Sequence, residues 1–221
     1  MEQRVIIQTH FPYDSPVWPV SKPNGKWRLT IDYQRLNAGT SPLTAAVPNI
    51  AKLIATIQEQ SHKILATIDV KDMFSMVPLQ EGDRDRFAFT WEGIQYTFTR
   101  LLQGYRHLPT LVHHTLAQAL SAITPEEGVK TYQYIDDILV GRSDATAVGQ
   151  TQKKIITHLE SLELQVPAEK VQPLSLEVKF LGIWWKEGPV CIPLETLATL
   201  EHIKIPENKK ELQRSLGLLV F

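Results

Sequence analysis

Two adjacent carboxylates, Asp136 and Asp137, interrupt the run YQYIDDILVG at residues 132–141. Tyr132, Tyr134, Ile135, Ile138, Leu139 and Val140 around them give the run the apolar, strand-like character of a buried segment. Burying unpaired charge is costly, and carboxylates in contact raise one another's pKa. Either the pair sits on a solvated turn, or something of opposite charge compensates it. A second acidic group, Asp69-Val70-Lys71-Asp72, closes the strand-like run ILATID. If these two strands are neighbours in one sheet, Asp69, Asp136 and Asp137 converge at one sheet end. Hard divalent cations relieve such repulsion, because Mg²⁺ takes oxygen ligands and keeps positions for water and substrate phosphates. Two such ions about 3.5–4 Å apart form the clamp used in phosphoryl transfer.

A triphosphate substrate also needs cations. The segment SKPNGKWRLTID sets Lys22, Lys26 and Arg28 around an Asn24-Gly25 turn, where they are placed to grip phosphates. Each feature alone has a plainer reading. An Asp-Asp pair is most often a solvated turn, Asp69 could cap a helix, and the basic residues could be an ordinary hairpin face. Their joint order along one chain carries the argument.

The elements that must position these residues follow from pattern. The NG turn joins strands Val17–Lys22 and Lys26–Ile31; the prolines at 12, 16, 19 and 23 keep this stretch extended and out of any sheet centre. A helix begins after Pro48-Asn49, with Ile50, Leu53, Ile54 and Ile57 on one face. Residues 86–91 and 94–99 form a hairpin closed at Glu92-Gly93. Residues 109–123 and 145–162 form helices, the first opened by Pro109. Strands cover 64–70, 130–135, 138–141, 178–185 and 189–194, and a last helix starts near Pro206-Glu207. Strands mixed with helices in no regular βαβ cycle give an α+β class.

The chain has 221 residues, 43% hydrophobic and 21% charged, which is the balance of a packed domain rather than of disorder. The net charge of −1 provides no global attraction for a polyanion, so any nucleic-acid contact must be local. Cys191 is the single cysteine, which removes an internal disulfide or an all-cysteine zinc site and fits a reducing compartment, the cytoplasm or a virion. No apolar run approaches a membrane span, so no membrane partner is expected. The final LQRSLGLLVF stops within an apolar, helix-like pattern, so a continuation is expected.

The blocks SKPNGKWRLTIDYQRLN, ILATIDVKDMFSMVPL, FAFTW, LLQGYRHLPTL, YQYIDDILVG and VKFLGIWW, in this order and spacing, resemble the reverse transcriptase of retroviral pol polyproteins, especially those of endogenous retroviruses. The resemblance covers nearly the whole chain. It implies the fingers and palm of a right-hand polymerase over residues 1–186, with a fingers hairpin near 15–33 and a ferredoxin-like βαββαβ palm near 62–186. Residues 187–221 would begin a truncated thumb. Most of the N-terminal fingers would be missing, and the parent would also carry ribonuclease H.

The resemblance also implies roles. Asp69, Asp136 and Asp137 match the catalytic acids; Asp69 and Asp136 would hold two Mg²⁺ ions (Mn²⁺ substituting), with the Val70 carbonyl assisting and Asp137 supporting the metal site. Lys22 and Arg28 match residues that hold the triphosphate of a dNTP. Asp72 and Met73 match backbone contacts to it. Phe74 matches the aromatic gate against a 2′-hydroxyl, and Gln103 the glutamine near sugar and template base. Tyr134 matches the aromatic under the primer end; Phe180, Leu181 and Gly182 match the primer-grip turn. Lys170 matches the lysine that protonates pyrophosphate. The partners implied are an RNA or DNA template with its primer and a dNTP, and a dimer partner stays open. Departures from the family pattern stand at Leu102, where proline is usual, at Leu108, where a small serine is usual, and at Ser75, where many relatives carry an aromatic. Leu108 is expected to push on the Gln103 segment. Two alternatives stay open: a catalytically impaired relic that at most binds nucleic acid, and an RNA-templated RNA polymerase, against which Phe74 argues.

Overall fold

Four antiparallel strands carry the acids. In the computed structural model, which describes residues 5–21, 25, 27–43, 47–71, 73–186 and 190–191, they are β4 (Ile64–Asp69), β7 (Lys130–Tyr134), β8 (Asp137–Arg142) and β9 (Val171–Ser175), in the order β7-β8-β4-β9. Two helices, α3 (Leu108–Ser121) and α4 (Ala145–Ser161), complete the order β4-α3-β7-β8-α4-β9. This is the βαββαβ connectivity expected, with the hairpin β5 (Phe89–Trp91) and β6 (Ile94–Phe98) inserted before α3.

The side chains of the two central strands alternate between faces, as a pleated strand requires. On one face Ala66, Ile68, Ile138 and Val140 pack with Val112 and Leu116 of α3 and with Val148, Ile155 and Leu159 of α4. On the other, Leu65, Leu139 and Tyr132 pack with Ile57 of helix α2 (Ile50–Gln60) and with Val178, Phe180 and Trp185. The central strands are therefore apolar on both faces, which is why they read as continuous hydrophobic runs. Asp144 caps α4 by accepting from the Thr146 and Ala147 N–H groups, and Asn49 caps α2 by accepting from Lys52 N–H.

The edge strand β9 escapes a period-based reading because Pro173 and two glutamine and serine neighbours dilute it. Its pairing with β4 slips between Leu65 and Thr67, so that one extra residue is accommodated beside the proline. Gln152 of α4 secures this bulged edge, donating to the Thr67 carbonyl (3.2 Å) and the Gln172 carbonyl (2.9 Å).

Towards the N-terminus lie β1 (Ile6–Gln8), which pairs with β6, the hairpin of β2 (Val17–Ser21) and β3 (Trp27–Ile31), and the short helix α1 (Gln34–Gly39). The expected pairing of these two strands is present, with Gly25 at φ 74° between them. Trp18 and Trp27 are 62% and 71% exposed on it, so this two-stranded ribbon covers little apolar surface of its own. Two expectations need correction. Residues 86–88 are not strand: a 3₁₀ turn spans Glu81–Phe87, and Ala88 N–H donates back to the Asp85 carbonyl, delaying β5 to Phe89. The run 178–185 is not one strand but a hairpin of β10 (Glu177–Phe180) and β11 (Ile183–Lys186). Of the expected strand 189–194, Val190–Cys191 is strand β12, and the expected last helix lies outside the described residues. Among the described residues no helix is long and apolar enough to cross a membrane.

Gly141 of β8 has no room for a side chain. A Cβ there would lie 2.8 Å from the His62 ring and 2.9 Å from Leu65. Gly141→Ala is expected to destabilise the fold by about 1–3 kcal/mol through overpacking, measurable as a lower urea midpoint with an unchanged slope.

Candidate active site

The antiparallel register sets the acids side by side. Asp69 at the end of β4 pairs directly with Asp137 at the start of β8, and Asp137 pairs on its other side with Tyr134 at the end of β7. Directly paired residues share a face. Tyr134, Asp137 and Asp69 therefore form a row across three strands, on the face away from α3 and α4. Asp136 lies in the two-residue turn Ile135-Asp136 that joins β7 to β8. Val70 N–H donates to the Asp136 carbonyl at 3.2 Å and ties the end of β4 to this turn.

Ile135 has φ 55°. Hairpin turns of two residues require such left-handed backbone, and glycine or asparagine usually supplies it. A β-branched residue there costs about 1–3 kcal/mol and persists only where its surroundings enforce it. Helix α3 and strand β7 do so. Ile135 N–H donates to His113 Nδ1 (3.2 Å), and Gln133 Nε2 donates to the carbonyls of His113 (2.8 Å) and Ile135 (2.9 Å).

The charge balance is uneven. Burial, then the charges of Asp136 and Asp69, pushes the Asp137 carboxyl up to about 7, against the opposing pull of Lys170. Asp136 is also raised, chiefly by burial and then by Asp69. Among the described residues the cation bonded to these acids is Lys170, whose ammonium donates to Asp69 Oδ2 and whose own pKa rises mainly through that bond. Lys170 ends a 3₁₀ turn, Ala168–Lys170, that leads into β9. Among the described residues no group of three or more His, Cys, Asp and Glu side chains is drawn together as a ready cage for an ion. Mg²⁺ seldom needs one, since it commonly uses one or two carboxylates and fills its shell with water and substrate phosphates. A donor set of oxygen atoms carrying more negative charge than its lysine offsets suits such an ion.

Facing the acids is the β10–β11 turn. Leu181 and Gly182 have φ 55° and 73°, the pair of left-handed conformations a tight hairpin needs. With Asp69, Asp137 and Lys170, the residues Phe180, Leu181 and Gly182 line a cleft of about 240 Å³. Gln172, which pattern reading missed, holds this turn in place. Its amide donates to Thr67 Oγ1 (2.7 Å) and to the Lys179 carbonyl (2.6 Å), while its oxygen accepts from Lys179 N–H (2.8 Å).

The nucleotide-side residues are more scattered. Lys22 and Asp72 lie outside the described residues. Arg28 falls in β3 opposite Val20, and Phe74 in the 3₁₀ turn Met73–Met76. Met73 is fully buried. Gln103 is exposed on the loop before α3. That loop is clasped to α1: Asn37 Nδ2 donates to the Gly104 carbonyl (2.8 Å), Arg106 Nη1 donates to the carbonyls of Asn37 and Thr40 (both 3.1 Å), and His107 Nε2 donates to the Ser41 carbonyl (2.8 Å). Leu108 is buried in the main core and Leu102 packs against it, so the bulk at both departures is taken up by the core rather than thrust toward the site.

Comparison with known proteins now bears on this arrangement. The family described as reverse transcriptase (RNA-dependent DNA polymerase) matches residues 20–185. The chain belongs to the reverse transcriptase family. It is 33% identical to the Pro-Pol polyprotein of simian foamy virus type 1 and 30% identical to the Pol polyprotein of feline endogenous virus ECE1, in both cases over the whole chain. It spans only 19% and 22% of those two polyproteins. Its fold is similar to that of a foamy viral protease-reverse transcriptase solved in complex with an RNA/DNA hybrid, with TM-score 0.76 and 28% identity over 97% of this chain and 28% of that one. The fold is thus the fingers and palm of this family, and the row of acids lies in its palm sheet.

The raised Asp137 carboxyl has a measurable consequence in metal-free protein. Its folded pKa lies above its unfolded value, so the folded state holds the proton more tightly. Stability from this group is present at pH 4 and is lost as pH rises toward and past about 7. Asp137→Asn is therefore expected to raise stability at pH 8 by about 1–2 kcal/mol and to change little at pH 4, read from urea unfolding at both pH values without divalent ions.

Proposed function

We propose that this chain is the polymerising part of an RNA-directed DNA polymerase. The observation that carries the reading is the pairing of Asp69 with Asp137, with Asp136 on the adjoining turn and the 180–182 hairpin facing them across one cleft. In the reaction a primer 3′-hydroxyl loses its proton to solvent, and its oxygen bonds to the α-phosphorus of a dNTP. The bond from that phosphorus to the bridging oxygen breaks, and pyrophosphate leaves.

Asp69 and Asp136 would hold two Mg²⁺ ions, or Mn²⁺ in their place, with the Val70 carbonyl assisting and Asp137 supporting the site. Bound there, the ions supply an activated hydroxyl and stabilise charge on the phosphate oxygens. The protein's own work is positioning and charge complementarity. Lys22 and Arg28 grip the triphosphate, and the backbone at Asp72 and Met73 lies along it. Phe74 packs against the sugar and disfavours a 2′-hydroxyl, while Gln103 faces sugar and template base. Tyr134 supports the primer end, and Phe180, Leu181 and Gly182 hold its backbone. Lys170, which bonds to Asp69 here, would give its proton to the departing pyrophosphate. The template is RNA or DNA, held mainly through backbone and shape. A solved relative that binds an RNA/DNA hybrid supports this choice of partner.

Primer extension on an RNA template with dNTPs and Mg²⁺ or Mn²⁺ tests the reading. Extension by this chain is expected to fall by about 10³-fold or more in Asp136→Asn, since charge stabilisation of this kind accounts for losses of that order. Absence of extension in the parent chain under both ions would replace the proposal with a relic that at most binds nucleic acid.

A further inference from the structure

The strained turn that carries Asp136 and leads into Asp137 is braced by a side chain from outside the acid motif. Helix α3 passes beneath the palm sheet and buries Leu108, Val112, His113 and Leu116. Three of these are hydrocarbon and fill the core. His113 differs: it is 8% exposed, and its Nδ1 accepts the Ile135 N–H at 3.2 Å. The other end of the turn is held from β7, where Gln133 Nε2 bridges the carbonyls of His113 and Ile135 at 2.8 and 2.9 Å. Both backbone groups of the residue with φ 55° are thereby satisfied, one by His113 itself and one by a glutamine that also grips the His113 carbonyl.

We propose that His113 is a positioning residue, whose Nδ1 holds Ile135 in its left-handed conformation and so sets the height of Asp136 and Asp137 against Asp69. The imidazole performs this task as an acceptor at Nδ1, with its proton on Nε2. Burial, and then the neighbouring His114, holds the His113 pKa below the usual histidine range and keeps that acceptor lone pair available. Without the acceptor, the Ile135 N–H is left without its partner in a half-buried turn, and a β-branched residue has every reason to relax toward negative φ. Relaxation moves the next residue, Asp136, and with it the register of Asp137. Helix α3 then does more than cover the sheet: it transmits its own placement to the acids through one ring nitrogen.

The claim for catalysis rests on the polymerase reading, so the test has an arm that does not. Amide hydrogen exchange at Ile135 is followed in the 221-residue chain, free of nucleic acid, for the parent, His113→Leu and His113→Asn. Leucine keeps the bulk and removes the acceptor; asparagine keeps an acceptor oxygen near the place of Nδ1. Exchange is expected to be about tenfold faster in His113→Leu, the equivalent of one hydrogen bond, and close to the parent in His113→Asn. In primer extension, His113→Leu is expected to lower kcat by about 10–100-fold with the dNTP KM nearly unchanged, and His113→Asn to recover most of it. If His113→Leu does not fold, His113→Phe, which keeps a planar ring and removes the acceptor, carries the same expectations. Equal Ile135 exchange in parent and leucine variant overturns the proposal, as does an asparagine variant that behaves like leucine. A parent without extension removes the function proposed above, and the exchange arm still decides the brace.

Discussion

Everything in this palm is arranged around a repulsion. The antiparallel pairing of β4 with β8 fixes Asp69 opposite Asp137, and the turn before β8 places Asp136 next to them. Burial and mutual charge drive the Asp137 carboxyl to about 7, well above an ordinary aspartate. A sheet tolerates like charges in direct opposition only if the rest of the fold enforces the register. Here it is enforced by a strand pair that is apolar on both faces. A one-residue slip would turn Ile68, Ile138 and Val140 out of one core and Leu65 and Leu139 out of the other.

The same scaffold carries the strain of the turn. Ile135 would choose another backbone conformation if left alone, and His113 and Gln133 oppose that choice from two directions. Across the cleft, Gln172 ties the Leu181-Gly182 turn to Thr67, two residues before Asp69 on the same face of β4. Acids and facing hairpin are thus referred to a single strand. Lys170, bonded to Asp69, supplies positive charge beside the cluster.

Much of this was legible in the sequence. The NG hairpin, the strands beside the acids and helices α2, α3 and α4 all followed from turn chemistry and period, because those signals are local. The convergence of Asp69 with Asp136 and Asp137 depended on supposing that their strands are neighbours, which the register bears out. What escaped was non-local or atypical. Strand β9 is a bulged edge interrupted by Pro173, so its period is broken. The 3₁₀ turn at 81–87 is held by backbone bonds to which hydrophobic pattern is blind. Leu108, expected to push on the Gln103 loop, instead fills the core, since the residues that surround it come from distant parts of the chain. His113, Gln133 and Gln172 gave no motif signal, for their value lies in single hydrogen bonds to backbone groups that only the folded chain brings near.

The central claim is that Asp69, Asp136 and Asp137 are brought together to be neutralised by divalent cations. The most direct measurement is Mn²⁺ titration of the metal-free chain near pH 6.5, with bound ion followed by electron paramagnetic resonance and released protons by a pH indicator. The account predicts binding accompanied by proton release, because the raised carboxyls must ionise to serve as ligands, and loss of both signals in Asp136→Asn. Binding that is equal in parent and variant, or that releases no protons, would contradict it.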